Sequence, residues 1–202
     1  MCGVSMRELA HIQTLEQFSA AVRAFEGCGL KVGATQAVIG DGNPLSGVVL
    51  MGEAPGAEED RLGKPFVGRS GKVLDKLMAS IGLDRTNAYI TNTVFWRPPD
   101  NRTPTQAEVA ACRPLVDRHV ALLKPKLLIL VGGTAAKSML GVDEPLGKLR
   151  GVWHAVPNPY VVEPIPALAT FHPAYLLRNP PATEVALEDW RVVGEKIAQL
   201  AS

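Results

Sequence analysis

Carboxylate, amide and imidazole side chains, the groups that exchange protons and stabilise charge, sit directly behind short apolar runs of this chain. Glu53, Glu58, Glu59 and Asp60 follow Val48-Val49-Leu50-Met51, Asn92 lies near the end of a second run, and His172 follows a later one. For any one of them a local cap or turn is as good an account: Asn92 as a strand-end bond, His172 as a turn former before Pro173. Their shared position is harder to attribute to chance, because strand ends on one edge of a parallel sheet converge on one crevice. Other chemistries lack their signatures. VGGTAAKS places its first glycine and Ala136 wrongly for a phosphate loop, no G-x-G-x-x-G opens a helix after the first strand, and no G-x-S-x-G elbow is present.

The elements that must position these groups alternate. Thr14 and Gln17 make a capping-box pattern before Leu15, Phe18, Val22 and Phe25 at helical spacing, and Gly27 and Gly29 end that helix. Residues 48–51 read as a buried strand, followed by the glycine-rich stretch 52–71; so long an irregular segment in a compact domain is usually functional. A helix is predicted over 70–81, a strand over 88–94, and a helix from the Thr105-x-x-Glu108 capping box to about residue 123. Strands over 126–131 and 167–171 follow, with a helix through Leu140 between them and a last helix from about Thr183. Strands alternating with helices imply a parallel α/β sheet in one domain.

Hydrophobic residues at 47% and charged residues at 20% describe a soluble globule rather than a disordered chain. Three cysteines leave no closed disulfide framework, and an odd count suits a reducing compartment. MCGVSMRELAHIQ has no apolar core of signal-peptide length, and the apolar run 127–131 is far short of the ~20 residues of a membrane helix. The net charge of +1 argues against a nucleic-acid partner only if the charge is evenly spread. It is not: residues 61–150 carry 15 Lys and Arg against 7 Asp and Glu, and phosphate binding responds to local charge.

Taken in order, GDGNP, GEAPGAEED, GKPFVGRSG, TNTVFWRPP, AACRP, VGGTAAKSMLG and FHPAYLLR resemble the motif series of the bacterial and archaeal family 4 uracil-DNA glycosylases. The resemblance runs from about Phe25 to the C-terminal helix. It implies a single domain, 1–202, with residues 1–12 as a flexible lead-in, and a three-layer α/β fold around a central four-stranded parallel sheet flanked by helices. It also implies a monofunctional repair hydrolase that extrudes uracil from DNA and cleaves its N-glycosidic bond, leaving an abasic site. The partner implied is uracil-containing DNA in the bacterial cytosol or nucleoid, with no membrane and no obligate protein partner.

Carried onto this chain, the resemblance makes Phe66 the ring on which uracil stacks and Asn92 the amide that reads it, within a pocket shared with Glu53, Ala54 and Gly56. An amide has one acceptor and two donors, which complements the N3–H and O4 edge of uracil and mismatches cytosine. His172, neutral and donating, is the expected stabiliser of negative charge on uracil O2, a contribution of roughly 3 kcal/mol. Glu53 and Glu59 are the two candidates for holding the water and favouring positive charge on the sugar. Tyr175, Leu176, Leu177 and Arg178 match the loop that enters the duplex, with Leu176 the expected apolar wedge, and Arg69 and Ser70 are expected at the DNA. The alternative on the same fold is a non-turnover binder or covalent trap of uracil or abasic DNA. The trapping relatives carry a basic insertion ending in histidine after the second strand, whereas this segment is VFWRPPDNRTP.

Family 4 members normally hold an iron–sulfur cluster on four cysteines. The motif series puts Phe25 and Cys28 at the first pair of ligand positions and Trp96 and Cys112 at the second. Neither Phe nor Trp coordinates iron, so the expectation is no metal and no cluster. Phe25 and Trp96 would then fill its volume, and Cys28 and Cys112 would remain as buried thiols.

Overall fold

Residues 6–201 are described by the computed structural model. Its apolar runs form strands β1 (Asp41–Gly42), β2 (Val48–Gly52), β3 (Tyr89–Asn92), β4 (Leu127–Val131), β5 (Trp153–Val156) and β6 (Ile165–Thr170). They lie in one sheet of order β1-β3-β2-β4-β6-β5. The four inner strands are parallel, whereas β1 pairs with β3 and β5 with β6 in the antiparallel sense. The expected four-stranded parallel sheet is thus the centre of a six-stranded mixed one. The two edge strands escape a reading by hydrophobic run because β1 has two residues and β5 is half exposed on a sheet edge.

The helices are α1 (Met6–Ala10), α2 (Leu15–Ala24), α3 (Ala57–Leu62), α4 (Arg69–Ala79), α5 (Gln106–Leu123), α6 (Gly133–Leu140), α7 (Leu146–Leu149), α8 (Pro173–Arg178) and α9 (Ala182–Ala201). Every residue of β2 and β4 is buried, as strands covered on both faces require. The period of two divides them between two cores. Val49, Met51, Leu128 and Leu130 pack with residues of α1, α2, α5 and α6, while Val48, Leu50, Leu127 and Ile129 pack with α4, α8 and α9. Three layers result. The chain leaves β2 to one side for β3 and returns to its other side for β4, so the strand order reverses around the carboxyl end of β2.

Local chemistry fixes the ends. The capping boxes at Thr14 and Thr105 are both formed, and Glu108 of the second also takes the Arg102 guanidinium at 2.7 and 2.8 Å. That ion pair, chiefly, holds the Glu108 carboxyl down to about 2. The stretch 52–71 is less irregular than its composition suggests, since α3 lies inside it and α4 begins at Arg69. Residues 1–5 of the expected lead-in fall outside the described residues. The rest of it is packed: α1 buries Leu9, and the Ile12 carbonyl accepts from Arg118 of α5.

Phe25 is not the last helical residue but the C-cap of α2, turned into extended backbone. This aims its ring at Trp96, on which it stacks with centroids 6.0 Å apart and planes 19° from parallel. Both rings are buried, and Cys28 and Cys112 lie in the same core as free, buried thiols.

Deeper in the same core, His119 of α5 stacks on Phe18 at 4.5 Å and meets the Tyr89 hydroxyl at 3.2 Å, with its Nδ1 unpartnered. Burial pushes this imidazole down to about 3 from an ordinary 6.5. The unfolded chain therefore binds a proton that the folded one refuses, so stability is fully present above pH 6.5 and is lost as pH falls toward 3. We expect His119→Phe to remove this loss. Denaturant melts from pH 7 to 4 should show the wild type falling relative to the variant as pH drops, and parallel curves would refute the assignment.

Candidate active site

Glu53 directly follows β2, Asn92 ends β3, and His172 follows β6 by two residues; all three line one cleft of about 530 Å³. Ala54, Gly56, Glu59, Phe66, Arg69, Ser70, Tyr175 and Arg178 line it as well. Residues that are far apart in sequence thus meet where the strand order reverses. Asp60 and Glu58 are different. Asp60 does not line the cleft but is buried and accepts from the Thr35 and Gln36 amides, whereas Glu58 lines the cleft and pairs with Arg61.

The floor is Gly52. A methyl group there would lie 2.5 Å from both Asn92 Oδ1 and Phe66 Cζ, so the amide and the ring edge close over a bare backbone. Asn92 is 1% exposed and its Oδ1 has no hydrogen-bond partner. A buried acceptor left open is costly, by about 1–3 kcal/mol, and is filled when a donor enters. Phe66 has a positive φ of 53°, a conformation that is uncommon for a bulky side chain. The Gly52 signal was present in the sequence as a glycine at a strand end, but nothing there showed what it had to clear.

His172 caps α8: its Nδ1 accepts from the Ala174 amide at 3.1 Å. In the neutral ring the proton is then on Nε2, which makes that nitrogen the donor. Burial lowers the pKa of His172, against an opposing pull from Glu53, so the neutral form is favoured. The ring stands 5.6 Å from that of Phe66, tilted by 37°. Gly132, at φ +99°, lets His172 come this close, since a methyl group would lie 2.9 Å from its Cβ.

The two candidate carboxylates have different surroundings. Glu53 Oε2 accepts from the Thr134 hydroxyl at 2.5 Å, at the start of α6. Glu59 Oε1 accepts from the Val67 and Gly68 amides, each at 2.9 Å, and so holds the chain just after Phe66.

On the rim, Leu176 is 3% exposed and belongs to the core beneath α8, so it is not the free apolar wedge that its position suggested. Helical periodicity turns it inward and leaves Tyr175 and Leu177 exposed, at 38% and 40%. The basic excess of 61–150 is partly consumed inside the fold: Arg85, Arg102, Arg113 and Arg150 all pair with carboxylates. Arg69 and Arg178 line the cleft, as does Arg102, which is already paired with Glu108. Among the described residues, no group of three or more His, Cys, Asp or Glu is placed to hold a metal ion, and no helix is long and apolar enough to cross a membrane.

Comparison with known proteins agrees with this geometry. The family model described as the uracil DNA glycosylase superfamily matches residues 39–191. The chain is 36% identical over 192 residues to the type-4 uracil-DNA glycosylase of Sulfurisphaera tokodaii, covering 91% of this chain and 85% of that one. It is 37% identical over 195 residues to the protein of the same name from Saccharolobus solfataricus, at 93% and 88% coverage. The corresponding protein of Thermotoga maritima is 38% identical over 169 residues, at 83% and 85%. The chain belongs to the uracil-DNA glycosylase superfamily, in the neighbourhood of its type-4 members.

Proposed function

We propose that this protein releases uracil from DNA by hydrolysing its N-glycosidic bond and leaves an abasic site. The observation that carries the reading is the open acceptor Asn92 Oδ1, buried beside the Phe66 ring over Gly52. A flat base fits between such groups only after extrusion from the duplex, which costs a few kcal/mol. Uracil then offers N3–H to Asn92 Oδ1, whereas cytosine offers an unprotonated nitrogen and leaves the acceptor unsatisfied.

As the bond breaks, the sugar becomes positive and uracil O2 negative. His172, neutral with its Nε2–H free to donate, stabilises that oxygen. Glu53 supplies the negative charge on the sugar side and orients water, held in place by Thr134. Glu59 acts one step removed, as the residue that fixes the Phe66 loop. Tyr175, Leu177 and Arg178 meet the duplex where the base has left, and Arg69 and Ser70 line the same cleft. The covalent-trap alternative gains no support, because residues 93–104 contain no histidine.

The reading extends to the cofactor. Four thiolates are needed for the usual cluster, and here two thiols share a core with a stacked Phe25 and Trp96. The donor set does not fit, and no step of the reaction is routed through a cluster. Protein purified anaerobically should contain no stoichiometric iron by elemental analysis; one cluster's worth would overturn this part.

A single-uracil oligonucleotide should yield an alkali-labile break, and its cytosine counterpart none. His172→Ala should slow single-turnover release by ~10²- to 10³-fold. Gly52→Ala should abolish release by filling the floor while binding to abasic DNA persists. Absence of any uracil-dependent break with folded protein in excess would refute the function. Because burial lowers the pKa of His172, the rate should stay level as pH falls through 6.5 and decline only below it. A decline that begins above 6.5 would refute the neutral-donor role.

A further inference from the structure

The strained Phe66 turn is gripped from two sides, and only one of them belongs to the cleft. Glu59 takes the amides of residues 67 and 68. The carbonyls of the two preceding residues go to Arg85: its Nη1 donates to Pro65 O at 3.1 Å and its Nη2 to Phe66 O at 2.6 Å. Arg85 is not among the cleft-lining residues. It lies in the turn before β3, which is pinned by Asp84 bonding the Thr86 amide and hydroxyl and by Asn87 bonding the Asp84 amide and the Gly82 carbonyl. Asp41 of the edge strand β1 holds the guanidinium from behind at 2.8 Å, with Lys64 at 3.1 Å on its other oxygen and Asp75 at 3.5 Å from Arg85. Burial works against the charge of Asp41, but the bonds to Arg85 and Lys64 outweigh it and keep the carboxylate ionised.

We propose that Arg85, held by Asp41, is a positioning residue for base recognition: by bonding the Pro65 and Phe66 carbonyls it sets the Phe66 ring over Gly52, and so governs affinity for the extruded uracil rather than for DNA. This rests on the uracil-release reading above. The planar fork of arginine is needed because one group must satisfy two successive carbonyls and a carboxylate at once, which a point-charge ammonium does only in part. Close packing behind the turn leaves no slack: a methyl group on Gly71 would lie 1.8 Å from the Phe66 carbonyl oxygen.

The test uses the full chain and measures three quantities for Arg85→Gln, Arg85→Lys and Asp41→Asn: inhibition by free uracil, affinity for abasic-site DNA, and melting temperature. Val120→Ala, in the opposite core, serves as a stability control. Arg85→Gln should weaken uracil inhibition by ~10- to 100-fold, the scale of losing charge-assisted bonds. Abasic-DNA affinity should stay within about twofold of the wild type. Arg85→Lys should recover part of the loss, and Asp41→Asn should fall between Arg85→Lys and Arg85→Gln. If Arg85→Gln fails to fold, the other two variants decide the matter by the same split. Uracil inhibition unchanged in all soluble variants, or lost in step with DNA affinity or with the melting loss of Val120→Ala, overturns the proposal. A wild type that releases no uracil would instead overturn the function on which it rests.

Discussion

One turn of backbone governs the cleft. Phe66 stands in a left-handed conformation that a phenylalanine does not adopt unaided, and three successive peptide groups around it are bound through two carbonyls and two amides by one cation and one anion, Arg85 and Glu59. Strain of this kind persists only where the surroundings over-determine it. Glu59 comes from α3, Arg85 from the turn before β3, and the space for the ring from Gly52 at the end of β2. Three separate elements therefore contribute to the placement of a single ring. The layered fold makes this possible by bringing strand ends, rather than whole strands, into one crevice.

The same economy explains how acidic and neutral groups share the site. His172 has one nitrogen bound to the backbone and the other open, so its tautomer is set before any ligand arrives. Asn92 is buried with its acceptor oxygen unbound. Neither arrangement is the most stable that local chemistry allows; both are held by packing from Gly132 and Gly52, where a single methyl group would intrude. Preorganisation here consists of polar groups kept unsatisfied in a site too narrow to relax.

Much of this was legible in the sequence, and the boundary of what was legible is physical. Buried strands such as 127–131 announce themselves as apolar runs, and capping boxes at Thr14 and Thr105 mark helix starts through side-chain chemistry alone. Edge strand β1 has no such signature because pairing, not composition, makes it a strand. The residues of the cleft were recognisable by type and by their place after strands. The direction of each side chain was not, and Leu176 is buried while Leu177 is exposed for that reason. Arg85 carried no signal, since its partners are backbone carbonyls, and any sequence can supply those.

The Phe25–Trp96 stack has a consequence for how the protein comes into being. Two rings and two thiols knit the end of α2 to the segment after β3 and to α5 with no bond that must be made by another molecule. Such a junction closes by the same collapse that forms the rest of the core. On the proposal that no cluster is bound, it requires no delivery of metal and no assembly machinery. On the same proposal, its integrity is set by temperature and solvent rather than by the supply of iron.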